Sequence, residues 1–381
     1  MSSFARTDTS ILGQWWWTVD RWILGAIAAL IVIGTLLTLA ASPPVAERVA
    51  NGDSYHFVVK HLIFLPIGLA LLLGISLAAP AAIKRLAVGL FILTLMMMVL
   101  TLTIGEERNG AQRWLSLLGM SFQPSEFLKP ALVVFSAWMF SEQNRGSGAP
   151  GKLIAIAAWA VSVGLLALQP DFGQAFLLTV VFAGVFFIAG MPIMLVGGLM
   201  VAGSVGGMAA YFLVPHVTSR IDRFLDPSSG DSFQVSTAIN AFMQGGLFGR
   251  GPGEGTVKRI LPDAHTDYIF AVVGEEFGMI ACLLLAGLFG FIVLRGLARA
   301  FAAEDHFVQL AASGLIFLFG LQAVINMAVN LNMLPSKGMT LPFISYGGSS
   351  FLALSTTVGM ILALLRKRPG VAIGGASVLR P

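Results

Sequence analysis

The stretch "DYIFAVVGEEFGMIACLLLAGLFGFIVL" (residues 267–294) decides the fold. A helix needs about 20 largely apolar residues to cross about 30 Å of hydrocarbon, and beyond Glu276 this stretch holds no charge at all. Yet it enters the apolar run carrying Asp267, Glu275 and Glu276. If it is helical from Asp267, positions 267, 271, 274 and 278 form one stripe of Asp, Ala, Gly and Gly. Small residues let membrane helices pack closely, so Asp267 should face other helices or a cavity. The two glutamates lie about 12–14 Å deeper and point about 80° and 180° away from it, so one helix cannot aim all three acids at one spot. Asp267 belongs at the mouth and the glutamates near mid-membrane. An acid at a helix N-terminus is also favoured by the dipole alone. The glutamates read first as a buried network with partners such as Asn326 or Lys129, and second as cavity groups.

Nine further runs have the same character: about 22–42, 57–79, 87–104, 124–141, 153–169, 172–190, 192–213, 307–330 and 350–366. Only "QPDF" (169–172) and "AGMP" (189–192) separate the runs around 172–190, so nine spans is the alternative to ten. The 381 residues are 56% hydrophobic and 11% charged, against about 25% charged in soluble domains. The expected fold is therefore all-α, a polytopic membrane protein of about ten transmembrane helices with little soluble mass. A net charge of +4, with no Lys/Arg tract interleaved with aromatics, gives no sign of a nucleic-acid partner. The lone Cys282 excludes an intrachain disulfide and a cysteine metal site. Residues 1–20 are polar, with Asp8 and Asp20, and the run from Trp22 is too long for a cleavable signal.

Short-loop cations orient the spans. Lys84, Arg85, Arg145, Lys152, Arg295, Arg299, Arg366, Lys367 and Arg368 fall on one side if the count is ten, which puts both termini in the cytosol. Trp15, Trp16, Trp17 and Trp22 then form an aromatic belt at that face. The chain reads as one membrane domain (1–381) with a cytosolic tail at 1–21, a long extracytoplasmic loop at 214–266 and a cytosolic tail at 367–381.

The opposite side should be poor in cations, yet it holds Arg108, Arg113, Arg220, Arg223, Arg250, Lys258, Arg259 and Lys337, which makes these candidates for anion binding. In the long loop, "FQVSTAINAFM" (233–243) reads as a short amphipathic surface helix. The glycine-rich "MQGGLFGRGPGEG" (243–255) suits close approach to a ligand. Glu126 and Lys129 in "QPSEFLKPALVVF" share one helix face at i, i+3, either as a self-neutralising pair or as cavity groups. Asp171 and Gln174 have capping-box spacing, which favours Asp171 as a cap over a catalyst. Gln322, Asn326 and Asn330 line one face of the 307–330 span. Gly347 and Gly348, ahead of Ser349 and Ser350, expose backbone N–H groups at a positive helix end. This is a phosphate seat or a simple cap.

Taken together, "GAQRW", "QPSEFLK", "QPDFG", "RIDRFLDP", "GGLFGRGPG", "LPDAHTDYIFAVVGEE" and "LPSKGMTLPFISYGGSS" resemble the SEDS family of bacterial cell-wall polymerases, represented by FtsW and RodA, from about residue 110 to 350. "HTDYIFAVVGEE" looks closer to the division branch than to the elongation branch. The resemblance implies a GT-C-like fold and a peptidoglycan glycosyltransferase. Such an enzyme polymerises lipid II at the outer face of the cytoplasmic membrane, alongside a class B penicillin-binding transpeptidase and other divisome membrane proteins. It places the catalytic aspartate at Asp267, the cavity acid and base at Glu126 and Lys129, and the arginine before the FLDP-like motif at Arg220. His265, Ser345, Gly347, Gly348 and Ser349 join Arg113, Lys258 and Lys337 as expected substrate-binding residues. The chain departs from the family at Thr237 and Ala238, which replace a glutamine-serine pair, and at Gln174, which replaces threonine. The loop after Pro227 is also short.

The chemistry agrees with that assignment. A sugar hydroxyl attacking an anomeric carbon needs a general base, whereas undecaprenyl diphosphate leaves without a general acid, so one carboxylate suffices. Single displacement of an α-linked diphosphate gives inversion, and the leaving charge calls for Arg, Lys or a divalent cation such as Mg2+ or Mn2+. No residue is assigned to a metal, and no tightly bound cofactor is expected. Two other readings stay open: a transporter flipping a lipid-linked precursor, with Glu275, Glu276 and Lys129 as ion-coupling groups, and a non-catalytic divisome scaffold.

Overall fold

The computed structural model describes residues 10–49, 55–108, 111–117, 120–146, 148–214, 217–219, 221–222, 233–335 and 338–367. A short helix α1 (Ile11–Thr18) leads at an elbow into α2 (Arg21–Val49), followed by α3 (His56–Ser76) and α4 (Pro80–Ile104). A small antiparallel sheet comes next: β1 (Glu106–Arg108), β2 (Ala111–Leu117) and β3 (Met120–Phe122), in spatial order β1-β2-β3. Then follow α5 (Pro124–Asn144), α6 (Gly151–Leu168), α7 (Phe172–Ile188), α8 (Ile193–Leu213), α9 (Phe233–Gly245), a 3-10 turn (Val257–Arg259), α10 (Ile269–Phe301), α11 (His306–Asn330) and α12 (Gly348–Leu365).

Among the described residues, each stretch read as a span is a separate helix, so "QPDF" and "AGMP" are both turns. Seven helices among the described residues are long and apolar enough to cross a membrane: α2 over Arg21–Ser42, α3, α4, α6, α10, α11 and α12. Phe172–Ile188 and Val201–Leu213 are shorter apolar helices. Outward-facing Val32, Leu36, Leu62, Ile63, Leu93, Met96, Leu283 and Leu284 would be a liability in water. In lipid they are ordinary, and the protein is a multi-pass membrane protein. The central helices α11 and α12 are buried along most of their length, packed against α5 and α3 respectively. The sheet departs from the all-α expectation. It fills the connection between α4 and α5: β1 and β3 are three residues each, and the seven of β2 (AQRWLSL) do not alternate apolar with polar.

The opening stretch also departs from a continuous helix. The helix starts at Ile269, leaving Asp267 in the preceding turn, and it breaks at Gly278 (φ 78°, ψ −178°). In an unbroken helix the amides of Met279 and Ile280 would bond the carbonyls of Glu275 and Glu276. Here they donate to Gly246 and Leu247 oxygens, at 2.9 and 3.3 Å. The Arg250 and Gly251 amides in turn donate to the orphaned Glu275 and Glu276 carbonyls, both at 3.0 Å. Only glycine fits the break, because a Cβ at 278 would lie 2.4 Å from the Gly249 nitrogen and the Leu247 oxygen. Two glycines of "MQGGLFGRGPGEG", Gly245 and Gly249, serve close approach to the α10 backbone, where a Cβ would meet the Gly274 and Glu276 carbonyls at 1.9 and 2.2 Å. The small-residue stripe behaves as its composition implies: Gly274 faces the Phe242 ring of α9.

At the end of the bundle carrying α1, the short-loop cations converge. Arg295 and Arg299 bond Asp20, Arg145 bonds Asp305 and Lys84 pairs with Glu142. Arg366 donates to the Thr18 hydroxyl and the Leu77 carbonyl.

Candidate functional site

A cavity of about 570 Å3 opens at the end of the bundle opposite α1, within the roughly 300–1,000 Å3 of small-molecule sites. Half-buried Asp267 lies in its wall with Asp263, Lys60 of α3, Arg113 of β2, Glu126 of α5, and Gly347, Gly348 and Ser349 at the start of α12.

The backbone around Asp267 is held from several directions. Asp263 adopts a left-handed conformation (φ 52°), and its carbonyl accepts the amides of Thr266, Asp267 and Tyr268 at 3.0–3.2 Å. Asn326 and Asn330 both donate to the Asp267 carbonyl, at 3.0 and 2.9 Å, while the Asn330 side-chain oxygen accepts the Ala271 amide. The polar stripe on α11 thus clamps the turn that presents the carboxylate. Gly338 completes the wall, with the Asp267 Oδ2 at 3.5 Å from where its Cβ would be.

Glu126 and Lys129 form the expected i, i+3 pair, with Nζ 3.0 Å from both carboxylate oxygens and both side chains buried. Lys129 also donates to Gln322 (3.1 Å), and Gln174 donates to Glu126 (2.8 Å). Gln174, where the chain departs from the family pattern, is thereby a partner of the cavity acid. Gln322 donates to the Thr340 carbonyl, and Thr340 shares a 2.6 Å hydrogen bond with Ser350, which ties the pair to the loop and start of α12.

Arg113 reaches across to the turn before α7, bonding the Gln169 and Pro170 carbonyls and lying 3.5 Å from Asp171. Asp171 is the N-cap of α7, accepting the Gln174 amide. Burial pushes its carboxyl above the ordinary value, against the lowering influence of the Arg113 guanidinium and the Gln174 amide. Ser349 accepts the Gln123 amide and donates to the Ser121 carbonyl, fixing the start of α12 to the sheet. Tyr346 lines the cavity, and burial pushes its phenol up to about 12, so it stays neutral.

Several expected contacts fall elsewhere. Lys258, expected to bind substrate, is buried away from the cavity, bonded to the Glu276 carboxylate and the Ala40 carbonyl. It neutralises an acid that the break in α10 draws against the loop. Neither Asn326 nor Lys129 partners the glutamates. Glu275 instead accepts the amides of Thr256 (2.6 Å), Val257 (2.9 Å) and Lys258 (3.3 Å), and Glu276 that of Gly253 (3.0 Å). Arg250 turns to Thr256 and lies 3.9 Å from Glu275. Ser345 does not line the cavity; its hydroxyl accepts the Leu341 amide inside a turn. His265 is buried behind the wall, its ring against Phe57 and Tyr346 at 4.5 and 5.5 Å between centroids. Arg220, Arg223 and Lys337 lie outside the described residues, and the described part of Arg108 does not include its side chain. Lys60 was not anticipated, because it sits inside an apolar run; a lysine in the first turns of a span is the signal that marks it.

The fold and this cavity define a polytopic membrane protein with a polar chamber, lined by Asp267 on a clamped turn and by the cations Lys60 and Arg113. The chain matches the FtsW/RodA/SpoVE cell cycle protein family over residues 21–369 and belongs to it. It is 49% identical, over 97% of its own length and 94% of the relative's, to the probable peptidoglycan glycosyltransferase FtsW of Caulobacter vibrioides. Its fold resembles a chain of a peptidoglycan synthase complex studied for the coordination of polymerization and crosslinking (TM-score 0.74, 27% identity, covering 91% and 97% of the two chains). It also resembles the rod shape determining protein RodA of Thermus thermophilus (TM-score 0.68, 27% identity, covering 92% and 97%).

Proposed function

We propose that this protein is a peptidoglycan glycosyltransferase that polymerises lipid II during cell division. The reaction takes place at the outer face of the bacterial cytoplasmic membrane, and both termini are cytosolic. The observation that carries the reading is Asp267, whose main-chain carbonyl is held by Asn326 and Asn330 and whose side chain lines a cavity that also presents Lys60, Arg113 and the start of α12. The names of the relatives support the same activity. Asp267 takes the proton from the attacking sugar hydroxyl as the glycosidic bond forms and the bond to the diphosphate breaks, with inversion at the anomeric carbon. Lys60, Arg113 and the N–H groups at the head of α12 stabilise the departing undecaprenyl diphosphate. A divalent cation, Mg2+ or Mn2+, accompanying the diphosphate would add to that charge. Glu126 and Lys129 form the polar floor on which the saccharide rests.

The single membrane domain is the whole catalytic unit, and 214–266 is its extracytoplasmic loop. A class B penicillin-binding transpeptidase and other divisome membrane proteins are its partners, in keeping with the synthase complex it resembles. Ion-coupled flipping would draw on Glu275, Glu276 and Lys129. The binding of those acids by Lys258 and loop amides, and of Lys129 by Glu126, weighs against it.

The test is polymerisation of purified lipid II by the purified protein with its cognate transpeptidase present. Asp267→Asn should lower chain formation by about 10²–10⁴-fold, the usual contribution of a general base, while insertion and partner binding persist. Chain formation at the wild-type rate by that variant would remove Asp267 from the mechanism. Flipping without polymerisation by the wild type would restore the transporter reading.

A further inference from the structure

At the end of the bundle carrying α1, a second cavity of about 560 Å3 lies where the α1–α2 elbow meets the last turns of α10. Arg21, Arg295, Arg299 and Lys367 line it, with Asp20 as the acid among its described lining residues: four cations against one carboxylate. Asp20 is 5% exposed and already engaged, bonded by Arg295 Nε at 2.9 Å and Arg299 Nε at 3.0 Å. Both arginines use Nε for this, so the four terminal N–H donors of each guanidinium remain for the cavity.

Arg21 is exposed and sits over the Trp17 ring, 4.7 Å from its centroid, and Lys367 is exposed at the end of α12. The positive charge therefore exceeds what the protein itself neutralises. It stands at the level of an aromatic belt, where Trp22 is 69% exposed and Ile11 and Leu12 of α1 are also turned outward. A ligand of this site must combine an anionic group with apolar matter lying against Trp22 and the spans. An acidic protein surface or a free phosphate offers only the first.

We propose that this cavity binds the phosphate headgroup of an anionic phospholipid, with its acyl chains lying along Trp22 and α2. Basic pockets between helix ends at a membrane face recognise such headgroups. The site is separate from the Asp267 cavity, and its occupancy requires neither glycosyl transfer nor a particular orientation of the chain.

The test is native mass spectrometry of the full chain in detergent, titrated with phosphatidylglycerol, cardiolipin or phosphatidylethanolamine of matched acyl chains. The wild type should prefer the anionic lipids, less so as ionic strength rises. The double variant Arg21→Gln/Lys367→Gln removes two cations that hold no acid and should lose about thirtyfold in that preference, at roughly one basic side chain's worth of surface attraction each. Asp20→Asn releases both arginines and should strengthen binding. Equal affinity for phosphatidylethanolamine, or an unchanged preference in the double variant, would overturn the proposal. Displacement of the lipid by millimolar inorganic phosphate would also overturn it, by making this a soluble-anion site. So would binding of an acidic polypeptide in preference to lipid.

Discussion

Two buried lysine–glutamate contacts in this molecule use the same chemistry for opposite ends. Glu126 and Lys129 lie three residues apart on α5, and Glu126 borders the cavity. Lys258 and Glu276 lie 18 residues apart, are both buried, and fasten a loop to the broken helix α10. In the first pair Glu126 can lose Lys129 and still face the cavity. In the second pair neither group can, because the cavity does not reach it. Position relative to the cavity, not pairing, separates a group that lines the chamber from one that holds the fold.

The sharpest way to break that comparison is Glu276→Gln, which strands the Lys258 ammonium in a dry site. It should cost about 3–5 kcal/mol, read as a large fall in the thermal midpoint in detergent. The double variant Lys258→Met/Glu276→Met should recover most of that loss, since a well-packed apolar replacement of a buried pair is often neutral. A double variant as unstable as the single one would show that the pair does more than neutralise itself. Lys129→Met should be milder in stability, about 1–3 kcal/mol, because Gln174 still donates to Glu126. Its main effect should be on lipid II polymerisation. A Lys129→Met protein with wild-type turnover would erase the distinction between the two pairs.

Gly278→Ala probes the break itself and should cost about 1–3 kcal/mol through the positive-φ backbone and more through the clash of its Cβ with the Gly249 nitrogen and Leu247 oxygen, with the loss again read in the thermal midpoint. The smallest effect concerns a third acid, Asp20. Burial alone would raise its carboxyl, but the Arg295 hydrogen bond, the Ile23 amide and the two guanidinium charges outweigh that and hold it below the ordinary 3.8. Its contribution to stability is therefore fully present above that value and is lost as pH falls through the depressed one. Unfolding followed from pH 6 to pH 3 should show this fall in wild type, and Asp20→Asn should flatten it.

Much of this was legible in the chain. The spans announce themselves by length, and a pair at i, i+3 such as Glu126 and Lys129 is geometrically obliged to meet. The stripe at 267, 271, 274 and 278 correctly turned Asp267 inward, although the helix begins two residues later. Gln322, Asn326 and Asn330 were visible as a polar face, but not that they would clamp the Asp267 backbone, because hydrogen bonds to main-chain carbonyls leave no mark on composition. The partners of Glu275 and Glu276 were misjudged for two physical reasons. Phase arithmetic presumes an unbroken helix, and Gly278 looked like a packing residue. Lys258 sat in a loop where every cation looked like an anion binder. Lys60 was hidden by the average of its apolar neighbours, and of the strands between α4 and α5 two were too short to show alternation and the third, β2, does not alternate.

The exchange of hydrogen bonds at Gly278 has a kinetic side. The amides of Arg250, Gly251, Met279 and Ile280 come from two distant parts of the chain, yet each loop amide depends on a helix carbonyl and each helix amide on a loop carbonyl. In hydrogen–deuterium exchange these four positions are expected to open as one cooperative unit, so that a glycine-rich loop is timed by the helix it interrupts.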